Sequence, residues 1–399
     1  MSNYSTAEDV LQAVTLQDSA GKSVQFYVRP STGEIVEPLR DDKFDWRQKK
    51  KDTLRLADVY GAAQDGKRAD KAAWCSTWLE YLATGDLSKR QLYHMNACHQ
   101  RLCPLCGARR AHQMAARLRK VLEAVEAIHP GVEFIFLTLT VQNVPGDKLR
   151  DTLTLLTGAW SKLTRRRSVD RAIKGWFRAI EITRNRSQDT YHPHIHAVLA
   201  VEPNYFTRSN GLYITQQRWR EMWQESLKAN YLPIVHIEKT KSKGGKSAEA
   251  AAVEAAKYCT KSSDYIGKAL PLAEAAKVAE VYTAALSRKR MTALGGWLLE
   301  AEQSLGVDVE AEGDLIHDED GAGTLNASSA ELLESYGWHS GVSEHVLRDR
   351  RPNPDFLGNL PSGATGSAEA GEAGTVEIDK SAAMAEAAAS AAPEAEPPE

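Results

Sequence analysis

Residues Phe177-Arg-Ala-Ile-Glu-Ile-Thr183, the polar run Arg184 to Thr190, and Tyr191-His-Pro-His-Ile-His196 continuing to Val201 read as two strands joined by a turn. Side chains alternate across a strand, so His194 and His196 share a face while Ile195 and Leu199 point away from it. Pairing the strands about the middle of the polar run sets Glu181 opposite His194. A carboxylate across from two imidazoles gives a His-His-Glu set with positions left open for water or a phosphate oxygen, which suits Mg2+ or Mn2+. A slip of one residue would turn Glu181 to the other face. The bland alternative is a His-rich strand end with no metal.

Working outward, Phe134 to Val141 and Ile234 to Glu238 read as further strands, and Asp147 to Leu163, Thr215 to Leu227 and Ala248 to Lys261 carry helical periods. The expected class is α+β, an antiparallel β-sheet with helices packed against one face. The composition divides the 399 residues into a loosely packed polar segment (1–70), a zinc-binding and basic-helix segment (71–130), a domain holding the histidines (131–302), a C-terminal extension (303–356) and a disordered Ala/Glu/Pro-rich tail (357–399).

No run of about 18 apolar residues exists, and the polar start Met1-Ser2-Asn3-Tyr4 is no signal peptide, so a cytoplasmic protein without membrane association is expected. The net charge of −3 conceals a division. Residues 1–300 carry 46 basic against 32 acidic side chains, and residues 301–399 carry 4 against 21. A basic body with an acidic tail fits a nucleic-acid partner, although many soluble proteins have acidic tails. Four of the five cysteines fall between positions 75 and 106. Cys98, Cys103 and Cys106, with Cys75 upstream, have the spacing of a structural Zn2+ site; His94, His99 and His112 are substitutes for Cys75, and reduced free thiols are the alternative. Cys259 has no partner in sequence and reads as a packing residue.

Glu254 and Tyr258 stand four apart on the last helical segment, with Lys261 and Tyr265 along the same stripe. Beside a metal they read as a nucleophilic hydroxyl, a carboxylate that takes a proton and a lysine that lowers the hydroxyl pKa or holds phosphate; otherwise the stripe is a solvated helix face. Basic residues that suit phosphate contact are Arg117 and Lys120, Arg165, Arg166 and Arg167, and Lys243 and Lys246 flanking Gly244-Gly245, a loop placed where a gate could lie.

Phe136-Leu-Thr-Leu-Thr-Val141, Tyr191 to His196, Glu254-x-x-Lys-Tyr258-x-x-Lys261-x-x-Asp264-Tyr265 and Arg288 to Gly296, in that order, resemble the motifs of rolling-circle plasmid replication initiators of the HUH endonuclease superfamily. The resemblance covers residues from about 75 to 320. It implies an RRM/ferredoxin-like nuclease in which His194, His196 and Glu181 bind Mg2+ or Mn2+. Tyr258 would nick the plasmid double-strand origin, at a single-stranded or cruciform site, through a 5′-phosphotyrosine. Glu254 would activate water at termination, and Tyr265 is a candidate second nucleophile. The implied partners are origin DNA, the host helicase, single-strand-binding protein and DNA polymerase, and a homodimer is compatible. A relaxase or single-strand transposase would use the same chemistry, and a non-enzymatic zinc-dependent DNA-binding protein would use none of it.

Overall fold

The computed structural model describes residues 10–17, 23–41, 43–207, 211–239, 262–267, 269–306, 325 and 328–358. Within the first 70 residues, β1 (Gln12–Gln17), β2 (Ser23–Arg29) and β3 (Glu34–Val36) pair antiparallel, and α1 (Trp46–Ala62) and α2 (Gly66–Trp74) follow. The polar segment expected to pack loosely is therefore built of regular elements. Every other residue of two short strands is apolar, and Val14, Phe26 and Val28 form a buried cluster that the charged composition hides. In the same way Lys50, inside the basic run, is buried, and its Nζ donates to the Cys75 carbonyl at 2.5 Å.

The chain divides into two units. The first draws on the described parts of 1–51, 74–97 and 312–399, the second on those of 52–73 and 98–311. In the first unit, β4 (Trp78–Ala83) and β5 (Arg90–Met95) join β12 (Leu332–His339) and β13 (Glu344–Pro352) in a sheet of order β13-β12-β4-β5. Glu334, fully buried there, accepts from Arg90 Nε at 2.8 Å and Arg350 Nε at 2.7 Å. Removing one partner of such a buried ionic group typically costs about 3–5 kcal/mol.

The second unit holds the hairpin. Its sheet comprises β6 (Glu133–Thr140), β8 (Ile173–Asn185), β9 (Thr190–Val201), β10 (Val235–Lys239) and β11 (Thr292–Gly296) in the antiparallel order β10-β6-β9-β8-β11, with β7 (Val144–Pro145) against β9. Thus the four expected strands are present. Helix α3 (Pro104–Ile128) lays Leu118, Val121, Leu122 and Val125 on Phe134, Phe136, Phe177 and Val198, on one face. Burying side chains of this size contributes roughly 1.5–3 kcal/mol each.

Helices also cover the other face, a departure from the one-sided arrangement expected. On that side α4 (Leu149–Thr164) stacks Trp160 edge-on against Trp176, with ring centroids 5.2 Å apart, and α6 (Gln216–Leu227) donates from Trp223 Nε1 to the Thr140 carbonyl at 2.9 Å. The reason is in β6: Phe134 to Leu137 is apolar at every position, so both of its faces need cover. Thr215 caps α6 by accepting from the Arg218 amide at 3.2 Å, where the helical period placed its start. The expected helix Ala248–Lys261 lies outside the described residues, as does the tail from 359. No helix among the described residues is long and apolar enough to cross a membrane.

Candidate metal centre

The hairpin register decides whether a site exists, and it sets Glu181 directly opposite His194 and Ala179 opposite His196. On the far side of β9, Thr138 faces His196 and Thr140 faces His194. These pairings bring the three sequence-predicted ligands together: one donor atom each from Glu181, His194 and His196 lies within 4.8 Å of the others. All sit toward one end of the sheet face that α3 covers at its other end.

Hydrogen bonds orient both imidazoles. His194 Nδ1 is 3.1 Å from the His192 carbonyl, and His196 Nδ1 is 3.1 Å from Thr138 Oγ1. The opposite nitrogens converge on one carboxylate oxygen, since His194 Nε2 and His196 Nε2 are each 3.2 Å from Glu181 Oε2. A carbonyl only accepts, so Nδ1 of His194 must donate, and a neutral ring then carries its lone pair on Nε2. That lone pair faces a carboxylate oxygen, which repels it unless a cation lies between them. A proton or a metal ion would relieve the contact, and for a metal the set of two imidazoles and one carboxylate fits a divalent transition or Mg2+-like ion with the rings held as ligands usually are. Beside the site, burial holds the His192 ring below the ordinary imidazole range, and His194 adds to the effect.

The cysteines form a second arrangement. Cys103 caps α3, with the Cys106 amide donating to its Sγ at 3.5 Å, and Cys98 Sγ lies 3.7 Å from Cys106 Sγ. None of the three is in a disulfide, and all are buried in the second unit. A disulfide would bring the sulfurs to about 2.05 Å. A tetrahedral zinc with bonds of about 2.3 Å spaces its sulfurs about 3.8 Å apart, which fits the observed separation. Cys75 is fully buried in the first unit.

Other predicted residues are dispersed. Tyr258, Glu254, Lys261, Lys243 and Lys246 lie outside the described residues, as do Cys259 and Gly244-Gly245. Tyr265 is buried, and its hydroxyl donates to the Leu102 carbonyl at 2.8 Å; burial raises its pKa far above the ordinary phenol value. A hydroxyl so held is a poor nucleophile, which counts against a second-nucleophile role for Tyr265. Tyr191 is likewise buried, its pKa pushed up to about 12 chiefly by burial. Among the basic candidates Arg117 is bound to Glu302 at 2.5 Å and Arg166 to Glu225 at 2.5 Å, whereas Lys120, Arg165 and Arg167 are exposed. Sequence reasoning missed Thr138 and the His192 carbonyl. The signal for Thr138 was its alternation with Phe134 and Phe136 on the face that the histidines share.

Comparison with known proteins gives a consistent result. A family model described as a replication protein matches residues 89–346. A protein named "Protein rep" from Lactiplantibacillus plantarum is 37% identical over 69% of this chain and 87% of its own length. Proteins of the same name from Bacillus amyloliquefaciens (31% identical, over 77% of this chain and 94% of that one) and Streptococcus pneumoniae (34%, over 69% and 84%) match similarly. No solved structure gives a significant match.

Proposed function

The chain belongs to the replication-protein family, and from that premise we propose that it initiates plasmid rolling-circle replication by nicking one strand of the double-strand origin. The observation that carries the reading is the cross-strand register that gathers Glu181, His194 and His196 on one face of the sheet. These three residues would hold Mg2+ or Mn2+, which when bound supplies Lewis-acid polarisation of a phosphate oxygen.

In this reading the protein's own groups do the rest. The Tyr258 hydroxyl oxygen forms a bond to the scissile phosphorus while its proton passes to a base, and the bond from phosphorus to the 3′ oxygen breaks. The departing oxygen takes up a proton and becomes the 3′-hydroxyl from which a host polymerase extends, and the 5′ phosphate stays on the tyrosine. Lys261, three residues on, favours the phenolate or holds phosphate. At termination Glu254 takes a proton from a water whose oxygen forms a bond to the phosphorus, the bond from phosphorus to the Tyr258 oxygen breaks, and that oxygen takes up a proton. The partners on this reading are origin DNA, the host helicase and single-strand-binding protein. Zinc on Cys98, Cys103 and Cys106, with Cys75 as the fourth donor expected from the sequence, would have a structural role.

The test is incubation with supercoiled origin-bearing plasmid and Mn2+. A denaturant-resistant protein–DNA adduct that disappears in Tyr258→Phe supports the reading, and no adduct from the unmodified chain on any origin-bearing DNA overturns it.

A further inference from the structure

Several arginines of the second unit are paired with carboxylates, as Arg117 is with Glu302, Arg166 with Glu225, and Arg184 with Asp189 and Glu274. Around the segment Ser287 to Met291 the pattern reverses. Arg101 donates to the Lys289 carbonyl at 3.1 Å, and Arg110 to the Arg101 carbonyl at 3.0 Å. Arg150 donates to the carbonyls of Ala284 at 2.7 Å and Ser287 at 3.2 Å, and Arg178, 6% exposed, to that of Met291 at 3.4 Å. Lys289 Nζ is bonded to Thr154 Oγ1, and Arg290 is exposed. None of these six cations has a carboxylate partner among the described residues.

Neutral carbonyls hold the side chains in place without cancelling their charge. Like charges therefore face one another in two pairs, Arg101 with Arg110 and Arg178 with Arg290. Burial, with Arg290 alongside, lowers the Arg178 pKa to about 10, and burial with Arg110 alongside lowers that of Arg101. Leaving guanidinium groups partly desolvated and unneutralised is costly unless an anion completes the arrangement, and planar guanidinium groups match phosphate well.

The position of the segment matters as much as its charge. The Met291 carbonyl accepts from the Ile180 amide at 2.8 Å, and Ile180 precedes Glu181 in β8. Thr292 pairs with Ala179, the residue opposite His196. The carboxylate-free cations thus adjoin the β11 edge at the level of Glu181, His194 and His196, with Arg178 on the opposite face of β8 and Arg150 on α4, which covers that face.

We propose that this group of cations is a phosphate track that holds one DNA strand as it approaches Glu181, His194 and His196, an inference that rests on the chain acting on DNA. The track binds the sugar–phosphate backbone and contributes affinity without base preference.

The test measures binding of the full chain to a labelled single-stranded oligonucleotide by fluorescence anisotropy across a salt series, without Mg2+ or Mn2+. A Lys289→Ala/Arg290→Ala double variant is expected to bind about tenfold more weakly at low salt. Its slope of log affinity against log salt should fall by about 1.4, from roughly 0.7 per single-strand phosphate contact. An unchanged slope and affinity overturns the track, as does failure of the unmodified chain to bind. If the double variant melts at a lower temperature, Arg101→Gln, on a different segment, serves the same measurement with a slope change of about 0.7. His196→Ala separates the two readings: it should keep the full salt slope while losing nicking. Absence of nicking by the unmodified chain, with the slope still lowered in the double variant, would sink the nicking reading and leave the track standing.

Discussion

Thr138 shows how much of the candidate metal site depends on a residue outside the Glu181, His194 and His196 set. Its hydroxyl meets His196 Nδ1 at 3.1 Å, which fixes the ring so that Nε2 faces Glu181. Thr138→Val keeps the shape of the side chain and deletes the bond. Losing such an orienting partner typically weakens metal affinity about 10–100-fold, so titration of Mn2+ into the variant should show a loss in that range with little change in melting temperature; equal affinities would remove Thr138 from the site. Glu181→Gln goes further, because it replaces the one anionic donor with an amide. Manganese binding and adduct formation should both be abolished, while the hairpin, held by twelve residue pairs between β8 and β9, should remain folded. At the cysteines, Cys103→Ser or Cys106→Ser should release about one zinc equivalent on metal analysis, and a chain that carries no zinc before substitution would refute the structural site.

Strands and helices were legible where one period governed them and no distant partner was needed. The turn between β8 and β9 could be centred because polar residues run unbroken from Arg184 to Thr190, and that centre fixed the Glu181–His194 pair that the structure contains. The start of α6 was legible through Thr215. The glycines that end β11 were visible as a motif, yet their purpose was not, because it depends on packing. A Cβ on Gly295 would run into the Trp176 ring, and one on Gly296 into the Lys174 carbonyl oxygen, at a residue whose φ is +56°. Backbone strain of this kind costs of order 1–3 kcal/mol before any clash is counted. Gly296→Ala should therefore lower the melting temperature by several degrees, at about 2–4 °C per kcal/mol for a domain of this size. An unchanged melt would mean that the β11 edge can shift to accept a methyl group.

The architecture of the whole chain was the least legible, because its first unit is assembled from segments that sequence separates widely. Strand β12 pairs with β4, so Leu333 meets Leu82 across some 250 positions, and nothing in local periodicity announces such a pairing. His345, on β13, belongs to the same long-range assembly. Fully buried, it has its Nε2 2.7 Å from the Ser76 carbonyl, and burial is the main cause that lowers its pKa to about 4 from the ordinary 6.5, with Lys50 lowering it further. The sign of the consequence follows from linkage. A histidine whose folded pKa is depressed binds more protons when unfolded, so its contribution is intact above pH 6.5 and is lost progressively as the pH falls toward 4. At 1.36 kcal/mol per unit that loss amounts to about 3 kcal/mol. His345→Gln keeps a donor for the Ser76 carbonyl and removes the titration. Urea unfolding at a series of pH values should then show the parent chain losing stability more steeply than the variant between about pH 6.5 and 4, and parallel curves would show that His345 does not set the acid limit of this unit.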